Sequence, residues 1–264
     1  MKFLLPGMTL SMKLLDVCIG GLAEVFYPET CAWCGAFRGD RPWSPPGLRV
    51  PGLRRWDLGH VCLHCCTHLS RLAPVRRTLK DGFPVWGGMM TDDKLVEVVS
   101  AWKYHGLRGL VWPLCRLAEG ALSLAGASLE TDLLLVPIPL HGRRRRKRGF
   151  NQAELLACLL RAEAGFMIDT EILERCRATA QQARIADPGR RRRNVAGAFR
   201  VRGTPATERT IMLLDDLVTT GATVRAAAAV MSAAGFPVAG AVCLGLAASG
   251  CDTGYSDGIR RRPG

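Results

Sequence analysis

The sequence predicts an α/β fold preceded by a small cysteine-bearing module, and three observations carry that prediction. Apolar runs at 131–140, 209–216 and 237–247 alternate with segments of helical composition, the order that builds a layered α/β domain. One of these runs, Ile211 to Leu214, leads into an acidic pair and then a Thr/Gly turn opening an Ala-rich helix. Two Cys-x-x-Cys pairs stand apart from this pattern, toward the amino-terminal end.

The string around Ile211 organises the rest. Four apolar residues read as a short buried strand that delivers Asp215 and Asp216 to its carboxyl end. Thr219, Thr220, Gly221, Ala222 and Thr223 follow, then a helix from Val224 to Ala234. Strand, small-residue turn and helix together make an anion site. Gly221 permits close backbone approach, the Thr hydroxyls can donate, and the first free N–H groups of the helix face the turn. A bare phosphate would be repelled by two carboxylates, whereas a phosphorylated sugar or a metal-bound phosphate compound satisfies both halves. A Walker-type phosphate loop is excluded because no Lys follows Gly221. The plainer alternative is an ordinary strand-to-helix turn with acidic and Thr caps. Leu213 to Thr223 resembles the phosphoribosyl pyrophosphate signature of type I phosphoribosyltransferases.

A chain of 264 residues, 48% hydrophobic, is long enough for one large or two modest domains. Its net charge of +13 favours anionic partners such as nucleotides, diphosphates or nucleic acid. No apolar run reaches the length of a membrane span. Met1 to Pro6 lacks the pattern of a signal peptide, so a cytoplasmic protein is expected. The 11 Cys are an odd number without the spacing of a small secreted scaffold, and metal binding explains them better.

Taken in order, 10–26 reads as an amphipathic helix. Cys31 and Cys34, then Cys62 and Cys65, can give four thiolates to one structural zinc, with Cys66, His60, His64 and His68 as spare ligands beside the second pair. Between the pairs, 41–58 is a Pro-rich loop, and 73–88 reads as a segment joining the module to the remainder. Helices follow over 92–104 and 107–124, with Lys103 at the end of the first, either a ligand contact or a Lys placed on the helix dipole. A strand ends at Pro137 to Pro139, and Leu140 and His141 lead into six consecutive cations, Arg143 to Arg148. These read as a solvated face or a polyanion contact. Asn151 and Gln152 open a helix to about Ala164, where first-turn side chains can reach a ligand. The polar stretch 173–202, containing Arg191, is expected to be a loop beside the site, and 251–264 a tail. The domains so expected are 1–88, 89–250 and the tail.

The paired Cys knuckles, Lys103 to Gly106, Val136 to Leu140, Arg148 to Gln152, Thr179 with Gln182, Arg191 to Asn194, Gly197 to Phe199 and the Asp215 to Thr223 string together resemble the ComF family. The gap between knuckles is longer here than is usual in that family. The resemblance implies a type I phosphoribosyltransferase-like domain, with a central parallel sheet flanked by helices, joined to an amino-terminal zinc module. It implies binding of phosphoribosyl pyrophosphate, or a related nucleotide, with Mg²⁺. Asp215 and Asp216 would hold ribose hydroxyls and help place the metal, the backbone and side chains of Leu217, Val218, Thr219, Thr220, Gly221, Ala222 and Thr223 would hold the 5-phosphate, and the loop with Pro139, Leu140 and His141 would face pyrophosphate. Lys103, Asn151, Gln152 and Arg191 complete the implied site. The activity implied is pentosyl transfer in DNA uptake during competence. The other reading is a competence factor that keeps the fold, binds single-stranded DNA or competence proteins, and does not turn over.

Overall fold

The computed structural model describes residues 30–36, 61–105, 107–127, 132–177, 197–203 and 209–248. The helix expected over 10–26, the loop over 41–58, Thr179, Gln182, Arg191 and the tail fall outside them. In chain order the elements are α1 (Leu63–Leu69), β1 (Val75–Thr78), β2 (Pro84–Met90), α2 (Asp93–Tyr104), a 3-10 turn (Arg108–Leu110), α3 (Val111–Leu124), β3 (Leu133–Pro137), α4 (Gly142–Arg148), α5 (Gln152–Ala164), β4 (Met167–Ile168), β5 (Leu173–Arg175), β6 (Phe199–Val201), β7 (Thr210–Val218), α6 (Ala222–Ala233) and β8 (Val238–Leu246).

Six strands form one sheet in the order β1-β2-β8-β7-β3-β4, parallel throughout except for β1 against β2. A parallel sheet is covered on both faces, which is why its strands read as continuous apolar runs. In β7 the alternation of side chains sorts the run. Met212 and Leu214 join the core beneath α1, α2, α3 and α5, while Ile211 and Leu213 join the core beneath α6 and the separate antiparallel ribbon of β5 and β6. The chain is thus an α/β protein with a mostly parallel central sheet between helices.

The helices begin and end where their sequences dictate. The Asp92 carboxylate caps α2 by accepting from the Leu95 N–H at 2.7 Å. Trp102, fully buried in the last turn of α2, fixes the position of the adjoining Lys103. Truncating Trp102 to Ala would cost about 3–5 kcal/mol.

Three stretches differ from expectation. The 73–88 segment, expected to join two modules, carries β1 and most of β2, so the sheet begins at Val75. Its glycines are there for packing: a Cβ on Gly88 would stand 2.3 Å from the Leu117 carbonyl oxygen, because α3 lies directly on β2. The 173–202 stretch contributes the β5–β6 ribbon, and β7 continues through Leu217 and Val218 instead of ending at Asp216. The six consecutive cations are helical, within α4.

Candidate functional site

Parallel pairing brings the carboxyl ends of β3, β7 and β8 to one edge of the sheet. Pro137 lies opposite Leu214, and the Ile138 N–H donates to the Leu214 carbonyl at 2.8 Å. Pro139, Leu140 and His141 therefore leave the sheet beside Asp215 and Asp216. Strand alternation sends the two carboxylates to opposite faces. Asp216 follows Met212 and Leu214 toward α2, where Lys103 Nζ meets its Oδ2 at 2.7 Å. Asp215 follows Ile211 and Leu213 toward α6 and the ribbon. Burial, reinforced by the Asp216 charge, pushes Asp215 up to about 7, while the Asp216 N–H, Lys103 and Arg175 oppose the rise. A cation reaching this edge would meet two acids of different character, one already paired and one that holds its proton near neutrality.

Beyond β7 the turn has the conformation its residue types suggest. Gly221 sits at φ +74° and starts α6, and a Cβ there would also lie 2.3 Å from Leu79 Cδ1. The Thr220 hydroxyl accepts from the Ala222 N–H at 3.4 Å. A small hollow is lined by Asp215, Leu217, Val218 and Thr219 from the strand side and by Gly221, Ala222 and Thr223 from the helix side. Asp215 and the Thr/Gly turn thus share one concavity.

The other expected contacts divide. His141 caps α4, its Nδ1 accepting from the Arg143 N–H at 3.3 Å. Asn151 is buried; its amide donates to the Ile138 carbonyl at 3.2 Å and accepts from the Ala153 N–H, so it anchors the β3 loop and caps α5. Gln152 Oε1 accepts from Arg148 at 3.1 Å, leaving a buried Nε2 with no partner among the described residues. Arg191 lies outside the described residues.

Two basic residues at this edge escaped the sequence reading. Arg175, at the end of β5, is 8% exposed and stacks over Phe199 at 5.1 Å, and burial lowers it to about 10. Its charge acts on Asp215. Arg77, on β1, donates to the carbonyls of Thr219 and Ala247. Neither lies in a recognisable string; the only signal was a cation inside an otherwise half-apolar run.

At the amino-terminal end the four ligand atoms of Cys31, Cys34, Cys62 and Cys65 lie within 4.8 Å of one another. Tetrahedral zinc at its usual Zn–S length separates its sulfurs by about 3.8 Å, and Cys34 and Cys62 sulfurs are 3.9 Å apart. The donor set fits a structural metal such as zinc. Burial alone would raise the Cys31 thiol, but hydrogen bonds from the N–H groups of Cys34, Cys62 and Trp33 bring it down to about 7, favouring the thiolate a metal needs. Cys66, the expected alternative, points away into the core, with its Sγ toward the Val61 carbonyl. A second group, Cys115, Glu119 and Glu163, is an ion-pair network in which Arg116 engages both carboxylates.

No family model matches the chain. Among curated proteins it is similar to the DNA utilization protein YhgH of Salmonella typhi, 36% identical over 170 residues, 63% of this chain and 70% of that protein. The same-named protein of Salmonella typhimurium is 36% identical over 108 residues, 41% of this chain, so the match spans about half (47%) of that relative's length. Competence protein F of Haemophilus influenzae is 26% identical over 206 residues, 75% of this chain and 88% of that protein.

Proposed function

We propose, from the premise that the chain belongs to the family of the DNA utilization protein YhgH and competence protein F, that it binds phosphoribosyl pyrophosphate or a related nucleotide with Mg²⁺ and acts in DNA uptake or use. The observation that carries this reading is the single hollow shared by Asp215 and the Thr219–Thr223 turn. A turn that presents N–H groups and hydroxyls takes a phosphate, and a carboxylate in the same hollow takes sugar hydroxyls. Mg²⁺ binds through one or two carboxylates together with substrate phosphates, and Asp215, in the hollow, would supply one, with Asp216 beside it at the strand end; bound there, it would neutralise charge on the diphosphate. Lys103, held by Trp102, is paired with Asp216, and the loop of Pro139 to His141, anchored by Asn151, stands at the same edge. If turnover occurs, the chain's contribution is to orient the sugar and stabilise the leaving diphosphate. A structural zinc on Cys31, Cys34, Cys62 and Cys65 would hold the amino-terminal module together.

Calorimetry with phosphoribosyl pyrophosphate and Mg²⁺ tests the reading. Saturable binding by the unaltered chain, abolished in Asp215→Asn/Asp216→Asn, is expected. Absence of binding by folded, zinc-loaded protein refutes it.

A second reading, DNA binding, has its own observation. Arg143, Arg145, Arg146 and Lys147 are exposed on α4, and beside them half-exposed Tyr104 carries the Arg148 guanidinium 4.7 Å above its ring. Cations next to an aromatic face suit a single strand.

A further inference from the structure

We propose that Arg77 is the positioning residue of the phosphate turn, holding its backbone in the anion-binding conformation from the opposite side of the sheet edge. The inference rests on the phosphoribosyl reading of the Thr219–Thr223 turn and adds a residue to it. Arg77 stands on β1, 142 residues away in sequence, and its two terminal nitrogens reach two different chain segments. One donates to the carbonyl of Thr219, in the turn, and the other to the carbonyl of Ala247, just past β8, at 2.6 Å. Ala247 in turn donates its N–H to Val218 at 3.0 Å, so the guanidinium closes a bridge between the ends of β7 and β8.

The geometry of the peptide group gives this bridge its consequence. A trans peptide is planar, with its C=O and N–H pointing in opposite directions. With the Thr219 carbonyl turned toward β1 and held by Arg77, the Thr220 N–H of the same peptide faces away from β1. The hollow between Asp215 and Thr223 is lined by residues of β7, the turn and α6, with none from β1. Leu79, just past the end of β1 and two residues on from Arg77, fills the space a Cβ on Gly221 would need, so β1 and the residue that follows it brace the turn at two points. Packing alone does not account for an arginine here. Its Nε is buried without a partner among the described residues, and burial lowers its pKa, whereas an apolar side chain would bear neither burden. The charge also places a cation behind a turn that receives an anion.

Ribose 5-phosphate is the probe, titrated against the unaltered chain, Arg77→Met and Arg77→Lys, with affinity from calorimetry and the Thr220 amide resonance followed by NMR. The expected result is a phosphate-induced shift of that amide in the unaltered chain. Affinity should be weaker by roughly tenfold or more in Arg77→Met, with the Thr220 shift abolished, and partly restored in Arg77→Lys, which can reach one carbonyl. Unaltered affinity and an unaltered Thr220 shift in folded Arg77→Met overturn the proposal. Should Arg77→Met not fold, Arg77→Lys decides, and affinity equal to that of the unaltered chain overturns it. Failure of the unaltered chain to bind ribose 5-phosphate is a different outcome: it refutes the phosphoribosyl reading itself and removes the role assigned to Arg77.

Discussion

Replacing Gly221 by Ala separates two reasons for a glycine at the turn, and the structure supplies a magnitude for each. The residue lies at φ +74°, a left-handed conformation that costs an L side chain about 1–2 kcal/mol. The added Cβ would also stand 2.3 Å from Leu79 Cδ1. Because that atom is the far end of a flexible side chain, relief by rotation leaves a steric cost of about 1 kcal/mol, at the low end for overpacking. Gly221→Ala should therefore destabilise by about 2–3 kcal/mol. In a Leu79→Ala background the clash disappears while the backbone strain stays, and the same substitution should cost only about 1–2 kcal/mol. Urea unfolding of the four chains of this double-mutant cycle measures both numbers, with a coupling of about 1 kcal/mol expected between sites in contact. A loss below about 0.5 kcal/mol in the unaltered background, within the range of inconsequential surface changes, or the same loss in both backgrounds, would refute the reasoning.

Three further perturbations bear on the site and the module. Asp215 is held up to about 7 against an ordinary value of 3.8, so between those limits the folded chain binds more protons than the unfolded one, and stability falls as pH rises through that window. Asp215→Asn should then raise thermal stability at pH 8 and not at pH 4. Three pH units correspond to about 4 kcal/mol, an upper bound on the gain; equal effects at both pH values would exclude the burial argument. Cys62→Ser should weaken and shift the thiolate-to-cobalt absorption of cobalt-loaded protein, whereas Cys66→Ser, whose sulfur faces Val61, should leave it unchanged; the reverse pattern would reassign the ligands. Neutralising Arg143, Arg145, Arg146 and Lys147 should reduce the salt slope of single-stranded DNA binding by up to about 3, at about 0.7 for each phosphate no longer neutralised; an unchanged slope would place any DNA elsewhere.

What was legible in the sequence were the features whose cause is local. The apolar run ending in Asp215 and Asp216, the Thr/Gly turn and the helix after it follow one another along the chain, and so do the paired cysteines, whose x2 spacing pointed to Cys65 where the structure also groups it. Lys103 was visible as a cation at a helix end, although only the packing of Trp102 brings it to Asp216. The failures have a common physical origin. Gly87 and Gly88 made 73–88 read as a connector because glycine interrupts strands when considered alone. In the fold their missing side chains are what let Leu246 and Leu117 approach, and the segment became the sheet edge.

Arg77 lies in the same stretch, where a cation in an apparent connector carries no local signal. The same packing explains why the two errors belong together. β1 can reach the Thr219 turn only because β2 pairs with β8, and β2 packs beneath α3 only because Gly88 lacks a Cβ. The local string can announce a Thr/Gly turn at a helix start, but one carbonyl of that turn is held by a strand some 140 residues away in sequence. For a turn of this kind the residues that make the local string and those that brace its backbone occupy different parts of the chain.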